Sequence, residues 1–536
     1  MRATRVGIWV AAAVMFVSAG SAHAARWMEY LNRGVVAVHV PGSGVYVGWR
    51  MLGTDPQTIG FNVYRDGVRR NASPITTSTN FMDSGGTTAS TYYIRPVIGG
   101  VEQEASEIVT VWSQTHSTQP LRFLDVPIQV PAGGTTPDGV AYTYSANDLS
   151  VGDLDGDGQY EIIVKWDPSN SKDNSQVGHT GNVFIDAYKL DGTKLWRIDL
   201  GVNIRAGAHY TQFLVWDLDG DGRAEVALKT APGTIDGVGH FVIMGNDDPH
   251  IDYRDANGFI ITGPEYFTVF NGLTGAEMAT IAYPMPRGDI SDWGDTWGNR
   301  GDRFLAAVAF LDGERPSIVK CRGYYGPQAG RRGKNQITAL DFRNGQLTQR
   351  WQFTATINTG NDVNPEFIGQ GHHSLSVIDV NGDGFDEIIY GAAVINHDGT
   401  GRFSTGLGHG DALHVSDINP LRPGYEVFGI HEGTGSPGAA MYAAESGVIL
   451  WQTANADSGR GVAADIDPAH PGMECWHAAS PNLFTAAGGS ASNSKPGSCN
   501  FVIWWDADLS REISDADRID KWVPVSSSTT RLLSLF

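Results

Sequence analysis

Between residues 27 and 115, apolar and polar positions alternate in short runs, each closed by a turn signal such as Arg65-Asp66-Gly67. Val45-Tyr-Val-Gly-Trp49, Gly60-Phe-Asn-Val-Tyr64, Thr91-Tyr-Tyr-Ile-Arg95 and Glu107-Ile-Val-Thr-Val111 keep a period of two, which predicts half-buried strands. From residue 147 the pattern changes. An acidic, glycine-bearing turn precedes a short apolar strand, and the pair recurs. Asp153-Leu-Asp-Gly-Asp-Gly-Gln-Tyr-Glu161 leads into Ile162-Ile-Val-Lys165, and Asp217-Leu-Asp-Gly-Asp-Gly-Arg-Ala-Glu225 into Val226-Ala-Leu-Lys229. Asp379-Val-Asn-Gly-Asp-Gly-Phe-Asp-Glu387 leads into Ile388-Ile-Tyr390. Looser copies span 417–426, 465–474 and 506–512, and a degenerate copy at 308–316 keeps only Asp312 of the turn's aspartates.

The seven copies start at 153, 217, 308, 379, 417, 465 and 506. The closer spacings match the ~40–50 residues of a four-stranded propeller blade, and insertions lengthen the others. A second recurring piece, a Gly turn between strands with a Trp after it, appears at 188–196, 341–351 and 444–451. It predicts a hairpin in the outer part of a blade. The chain is therefore all-β. Residues 27–115, with Trp49, Asn62-Val-Tyr64 and Tyr92-Tyr-Ile-Arg95, resemble a fibronectin type III sandwich; 116–146 are a linker, and 147–536 a calcium-binding β-propeller.

Composition agrees. The chain has 67 glycines in 536 residues, nearly twice the usual ~7% and without a collagen period, so they mark turns. Hydrophobic residues at 41% exclude a disordered chain. A net charge of −21 speaks against a nucleic-acid or anionic-membrane partner. Met1-Arg-Ala-Thr-Arg5, an apolar run from Ile8 to Ala19 and Ala22-His23-Ala24 make a secretory leader, residues 1–24, cut after Ala24. A secreted monomer is expected. Cys321, Cys475 and Cys499 form no disulfide framework, although Cys475 and Cys499 can pair if strands bring them together.

Acid or amide at positions 1, 3 and 5 of the turn, Gly at 6 and Glu at 9 make an oxygen cage for a hard cation. The candidate calcium ligands are Asp153, Asp155, Asp157 and Glu161; Asp217, Asp219, Asp221 and Glu225; and Asp379, Asn381, Asp383 and Glu387. Asp417 and Glu426, and Asp465, Asp467 and Glu474, are further candidates. An Asx-rich turn without metal is the alternative, and it is the better reading at 308–316.

Three features concentrate chemistry elsewhere. Lys165, Lys229 and Lys320 follow their turns at matching positions; if their strands line the axis, three ammoniums meet there, with Lys229 as a candidate base. Histidines cluster with glycines in Gly371-His-His373, Gly408-His-Gly-Asp411, His414 and Ala208-His209, and His373 and His409 each shortly precede an acidic turn. Trp293, Trp297, Tyr324, Tyr325, Arg205 and Arg460 suit sugar rings and carboxylates, with Arg205 and Tyr324 as candidate substrate contacts. Calcium with Lys or Arg in a polar cleft suits an acidic polysaccharide. β-Elimination needs the uronate carboxylate neutralised and a general base, whereas hydrolysis needs two carboxylates flanking the bond.

Residues 26–533 closely resemble the rhamnogalacturonan lyases of polysaccharide lyase family eleven. The match runs through Arg26-Trp-Met-Glu-Tyr-Leu-Asn-Arg-Gly34, Asn147-Asp-Leu-Ser-Val-Gly-Asp153, Lys165-Trp-Asp-Pro-Ser-Asn170, Asn203-Ile-Arg-Ala-Gly-Ala-His-Tyr210, Gly406-Leu-Gly-His-Gly-Asp-Ala-Leu-His414 and Gly459-Arg-Gly461. The resemblance implies an eight-bladed propeller, several structural Ca2+ ions, and extracellular cleavage of the rhamnogalacturonan I backbone of pectin. It implies that Asn147 and Asp167 bind galacturonate, that Arg460 lies near the reacting sugar, and that His373 and His409 are calcium or active-site ligands. The family continues past the segment matching Thr529-Thr-Arg-Leu-Leu533 with an Asn-Gly-Thr-Lys loop and one more blade, whereas this sequence stops at Phe536. The expectation is an eight-bladed-type ring lacking its last blade, open at a gap, poorly soluble and weakly active or inactive. A non-catalytic, calcium-stabilised pectin-binding propeller is the second reading. A quinone-dependent dehydrogenase would want an adjacent Cys pair, which the sequence does not contain.

Overall fold

The computed structural model describes residues 26–112, 115–116, 119–120, 124–505 and 508–534. The expected leader and the start of the last acidic turn at 506 lie outside them. The described residues are strands and turns apart from three short 3-10 segments, Ile290–Trp293, Pro365–Phe367 and Pro524–Ser526. Among them no helix is long and apolar enough to cross a membrane.

The N-terminal part is a β-sandwich. One sheet joins Val36–Val40, Gly44–Gly48 and Asn80–Asp83; the other is built on Gly60–Arg65 and Thr91–Ile98. The period-two pattern does what it predicts: Tyr92 and Ile94 point inward to Val45, Val47, Phe61 and Val63, while their neighbours Thr91, Tyr93 and Arg95 are only half-buried. Trp49 packs on Phe61 with ring centroids 5.3 Å apart. Two short strand pairs, Thr115–His116 with Gln119–Pro120 and Gly134–Thr135 with Ala141–Tyr142, lead to the first blade.

Seven antiparallel units of four strands follow, one for each copy of the acidic turn. Their first strands are Tyr144–Gly152, Phe213–Trp216, Phe304–Ala309, Gly371–Ile378, Gly410–Ser416, Gly461–Ala464 and Phe501–Ile503. Each packs beside the first strand of the next unit, so these strands line the axis. In the fourth and fifth blades they also meet at one parallel bridge, His372 to Gly410. The acidic turn joins the first strand to the second, so the lysines that follow it lie one strand out from the axis, not on the strands that line it. The expected axial lysine ring is thereby corrected.

The recurring outer tryptophans have a shared mechanical role. Trp196, Trp351 and Trp451 each donate their indole N–H to a carbonyl of the following blade, Gly272, His397 and Ala486, at 2.6, 2.9 and 3.0 Å. Each ring also lies over a glycine of that blade, Gly275, Gly399 or Gly488, where an added Cβ would come within 2.8 Å of it. The glycine turn of one hairpin is thus the seat for the Trp of the preceding one.

The first and seventh blades differ from those between them. Leu149 and Val151 on the first strand of blade 1 are 59% and 47% exposed, and Phe501 on that of blade 7 is 67% exposed. Among the described residues no sheet covers these two strands.

An arm ahead of the sandwich crosses the face that carries the acidic turns. Glu29 accepts the Asp153 N–H at 2.5 Å, and the Asn32 N–H donates to Gly158 O at 2.8 Å. Trp27 lies on Gly220 and Tyr30 on Gly222, both too close for a side chain at either glycine. The Trp27 N–H donates to Glu314 O at 2.8 Å, and Arg26 pairs with Asp386 at 2.9 Å. The arm therefore grips blades 1 to 4 through their turns. Cys321, Cys475 and Cys499 are buried free thiols, so the Cys475–Cys499 pairing does not form.

Candidate functional site

The acidic turns of blades 1, 2 and 4 share one construction. The leading aspartate accepts the N–H groups of two glycines: Gly156 and Gly158 on Asp153, both at 2.8 Å, and Gly220 and Gly222 on Asp217 at 2.7 and 2.9 Å. These glycines have φ between 80° and 91°, a region that side chains avoid. The closing glutamates Glu161, Glu225, Glu387, Glu426, Glu474 and Glu512 are buried and accept an amide N–H near the start of their own turn. A buried carboxylate needs a positive partner.

The chain meets that need in two ways. In blades 5 and 7 it supplies a cation to the closing glutamate, and in blade 3, whose turn has none, to the half-buried Asp312. Arg315 pairs with Asp312 at 2.8 Å, Arg422 with Glu426 at 2.8 Å and Lys521 with Glu512 at 3.1 Å. The expected calcium ligands Asp417 and Glu426 do not gather into a three-ligand group among the described residues, and Arg422 pairs with that glutamate. In blades 1 and 2, Asp153, Asp155 and Glu161, and Asp217, Asp219 and Glu225, converge closely enough to hold one ion. Burial, reinforced by the neighbouring acids, pushes Glu161 up to about 7 and Glu225 up to about 9. These all-oxygen sets fit a hard divalent cation. Asp157 and Asp221 stay exposed, each accepting the N–H two residues on, so they stand outside the convergent groups.

In blade 4 the convergent group is Asp383, Glu387 and His397. Asp379 is turned to backbone amides, and Asn381 donates to Asp383 at 3.0 Å. In blade 6, burial pushes Glu474 up to about 7. Among the described residues it has no lysine or arginine partner, and Asp465 and Asp467 do not converge with it into a three-ligand group.

The opposite end of the ring collects the other candidates. Nearly every blade contributes at the start of its innermost strand: Asn147, His209, Arg303, His373, then His409 with Asp411, then Arg460. Ends of second strands add Tyr324, Tyr325 and Glu432. His373, His409 and Glu432 converge closely enough to hold an ion, a set of two imidazoles and one carboxylate. His409 Nδ1 lies 2.5 Å from Gly371 O, and its Nε2 lies 3.2 Å from Glu432. Burial and the adjacent His409 and His209 hold His373 down at about 3, so it is neutral. Arg460 pairs with Asp411 at 3.0 Å and is 62% exposed in its side chain. Burial and Glu432 push Asp411 up to about 6, against the pull of Arg460.

In blade 1, a β-bulge between Ala146 and Leu149 takes Asn147 and Asp148 out of the ladder, re-aiming them as bulges beside functional sites do. Asn147 is exposed. Asp148 pairs with Lys165 at 2.5 Å, and Asp167 lies 4.0 Å from the same ammonium. Burial raises Asp167, and its Oδ1 has no hydrogen-bond partner. A cavity of about 360 Å³ opens beside Asp148, Lys165, Thr211 and Gln212.

Three expected residues have other tasks. Arg205 is buried and donates to five backbone carbonyls, those of Lys172, Asp173, Gln176, Gly178 and Gly258, so it organises loops and has no N–H left for substrate. Tyr324 is wholly buried beneath the histidines, its hydroxyl 3.2 Å from His373 Nδ1 and its ring stacked on His409. Lys229 is buried and holds Glu265 at 2.9 Å. Arg287 and Arg322 converge on that same carboxylate at 2.9 and 2.7 Å, and Arg322 also holds Asp302 at 3.0 Å. Burial alone would raise Glu265, but Arg322, Lys229 and Arg287 outweigh it and hold the carboxyl low. Lys320 is buried without a carboxylate in ion-pair reach among the described residues, and burial brings it down to about 7. Asp173, Arg303 and Glu432 carried no motif in the sequence. The signal available for Arg303 was its phase, directly before an innermost strand.

Glu265 neutralises three buried cations, so Glu265→Gln should destabilise the protein by about 3–5 kcal/mol. The check is a urea melt, read as a lower midpoint at unchanged slope; an unchanged midpoint contradicts this account of the cluster.

Comparison with known proteins places this geometry. Residues 123–535 match the description "Rhamnogalacturonan lyase family 11, C-terminal domain", and residues 26–112 match "Rhamnogalacturonan I lyases beta-sheet domain". The chain is 56% identical over 501 residues to the rhamnogalacturonan endolyase YesW of Bacillus subtilis, covering 93% of this chain and 77% of that one. It is 53% identical over 514 residues to the exolyase YesX of the same organism, covering 93% and 80%. The crystal structure of YesW superposes with a TM-score of 0.88 at 54% identity, covering 95% of this chain and 84% of that one. A Bacillus licheniformis rhamnogalacturonan lyase gives the same TM-score and coverage at 56% identity. The chain belongs to rhamnogalacturonan lyase family 11 and is a polysaccharide lyase.

Proposed function

We propose that this enzyme cleaves the rhamnogalacturonan I backbone of pectin by β-elimination at galacturonate, with calcium in the acidic turns and a divalent cation at His373, His409 and Glu432. The observation that carries this reading is the convergence of those three residues beside an exposed, Asp411-tethered arginine. In β-elimination a general base takes the proton on C5, its electrons form the C4–C5 double bond, and the C4–O bond breaks with its electron pair going to the departing sugar oxygen, which takes up a proton. Charge builds on the uronate carboxylate as this happens, and a fixed positive group there lowers the barrier. Arg460 has one side on Asp411 and the rest in solvent, so its planar fork is free to receive a carboxylate. A cation bound at the histidine group supplies further positive charge at that position. Asn147, turned out by its bulge, and Asp167, whose Oδ1 accepts no hydrogen bond, are assigned to galacturonate recognition.

The reaction class is tested by release of ultraviolet-absorbing unsaturated uronate ends from rhamnogalacturonan I. Arg460→Ala should reduce turnover at least 10²-fold, as loss of one transition-state donor does, with an unchanged melting temperature because the side chain is exposed. Wild-type turnover in that variant removes Arg460 from the mechanism.

Excess chelator should lower the melting temperature, since an ion bound only by the folded state stabilises it by mass action. Asp219→Ala should weaken that calcium response, because blade 2 offers its acids no lysine or arginine within ion-pair reach among the described residues. Identical melting curves with calcium and with chelator contradict the cages.

The substrate is a polymer too large to enter a cell, which agrees with the leader at 1–24. Amino-terminal sequencing of the product from the culture medium should begin at Ala25. Retention of an intact leader on cell-bound protein overturns export by cleavage.

A further inference from the structure

We propose that blade 2 carries a second sugar site, a pocket on the rim of the cleft that takes a neutral branch sugar of the polymer. The inference rests on the reading that the substrate is rhamnogalacturonan I, whose rhamnose units bear galactose- and arabinose-based side chains. It starts from an insertion. The spacing of the acidic turns is widest between 217 and 308, and residues 231–265, between the second and third strands of blade 2, account for much of it. Their only sheet pairing is at single bridges involving Ile235. Ordered loops of this length are uncommon in a compact domain and are generally functional.

The insertion is fastened from blade 1. The Asn203 amide donates to Pro232 O and Ile251 O, both at 2.8 Å, and accepts the Tyr253 N–H at 2.9 Å. Arg205 donates to Gly258 O at 2.5 Å. Where the insertion meets the outer strands of blade 2 there is a cavity of about 610 Å³, within the range of small-ligand sites. Tyr266 opens the third strand and Ala282 closes the fourth, which puts the cavity at the cleft end of the ring. Met244, Ile261, Pro264 and Pro286 give it apolar walls. Behind it, Arg322 donates to Met285 O at 2.9 Å and holds Glu265 at 2.7 Å, so the lining from 282 to 287 has a rigid backing.

Three polar groups in this lining have capacity to spare. Tyr283 and Arg287 are only 3% and 6% exposed, yet the Tyr283 hydroxyl and the Arg287 Nε–H have no hydrogen-bond partner. Leaving such groups unpaired in the interior is costly. Asp247 accepts the Tyr266 hydroxyl through Oδ2, and its other oxygen remains an acceptor. Donors and a carboxylate set among apolar faces suit a sugar ring, whose hydroxyls both donate and accept while its C–H faces are apolar. Charge then selects the sugar. Arg287 is already paired with Glu265 at 2.9 Å, so Asp247 is the charge left to face a ligand. A uronate would be repelled there, and a neutral galactose or arabinose would not. The pocket and the cleft are joined through Glu265, Arg322 and Asp302, the last directly preceding Arg303. A backbone lying in the cleft can therefore hang a branch over blade 2.

The probes are galactobiose and arabinobiose, titrated into the full chain by saturation-transfer NMR, with a galacturonate dimer as the acidic control after Arg460→Ala has weakened the cleft. At least one neutral disaccharide should bind. Ala282→Trp, which fills the cavity from an exposed position, should abolish that binding at unchanged melting temperature. Asp247→Asn should weaken it about tenfold, as loss of one charge-assisted hydrogen bond does. In turnover, wild type should show a lower KM for branched than for enzymatically debranched rhamnogalacturonan I. Ala282→Trp should remove that difference and cut the debranched chain at the wild-type rate. Failure of both disaccharides to bind, or equal binding in wild type, Ala282→Trp and Asp247→Asn, overturns the site. Binding without a KM difference between the two polymers overturns the branch as its ligand and leaves a site for free neutral sugar. If wild type cuts neither polymer, the substrate reading fails, and the disaccharide titration still judges the pocket separately.

Discussion

The structure depends on buried carboxylates that must be neutralised. Each blade turns from its innermost strand to the next, and in six of them the turn ends in a glutamate driven into the interior by the apolar strand that follows it. Amide N–H groups satisfy part of each carboxylate, but hydrogen bonds alone leave a charge in a poor dielectric. Arginine or lysine answers this in blades 5 and 7, convergent groups suited to a metal answer it in blades 1, 2 and 4, and in blade 6 burial pushes Glu474 up to about 7, toward its neutral form. The arm from Arg26 to Asn32 reads the result, because it docks on the turns themselves and not on the strands. Sandwich and propeller are therefore joined through the very loops whose shape depends on charge balance.

That rigidity is what makes the opposite end useful. Six of the innermost strands are pinned by their turns at one end and present one or two polar side chains at the other. A cluster drawn from several blades can then be held to within a hydrogen-bond length without any one loop being long. The interblade tryptophans contribute at the perimeter, where each indole is seated on the next blade's glycine turn. Below the cluster, Glu265 gathers Lys229, Arg287 and Arg322, and Asp302 links this group to Asn174. The ionic core is thereby connected to the side chains of the cleft.

Much of this was legible in the sequence because the repeat is periodic and its turn chemistry is explicit. Seven turns announced seven sheets, and the Gly and Trp of the outer hairpins marked where one blade meets the next. The lysines misled because the sequence shows that they follow the turn but not which of the two joined strands faces the axis. Arg205 and Tyr324 looked like ligands by residue type, yet each is consumed locally, one by carbonyls and the other by the histidines. Blade 5 shows a subtler limit. Asp417 and Glu426 have nearly the spacing of a cage, and only three-dimensional proximity reveals that Arg422 pairs with that glutamate. Glu432 and Asp173 were invisible because their partners lie in other blades, so no local pattern surrounds them.

The histidines around the cleft carry a last physical consequence. Burial first, and then their mutual proximity, holds His372 and His373 well below the usual imidazole range. His431 and His477 are likewise brought down to about 4, chiefly by burial. These rings bring polarity without charge to a region that already contains Asp173, Asp411 and Glu432. Arg303 is buried and committed to Asp173 and to the Asn299 carbonyl and side chain. On the function proposed above, the positive charge that an anionic sugar meets there comes from Arg460 and from a cation at His373, His409 and Glu432. Neutral imidazoles are what permit this, since a protonated His373 would repel a cation and would pair internally with Asp411, 3.5 Å away. An acidic wall, imidazoles and an exposed guanidinium form a cleft that, on the function proposed above, gains affinity for a uronate when a cation is bound. Substrate recognition and ion binding are in that sense one electrostatic problem, solved at the end of the ring away from the turns.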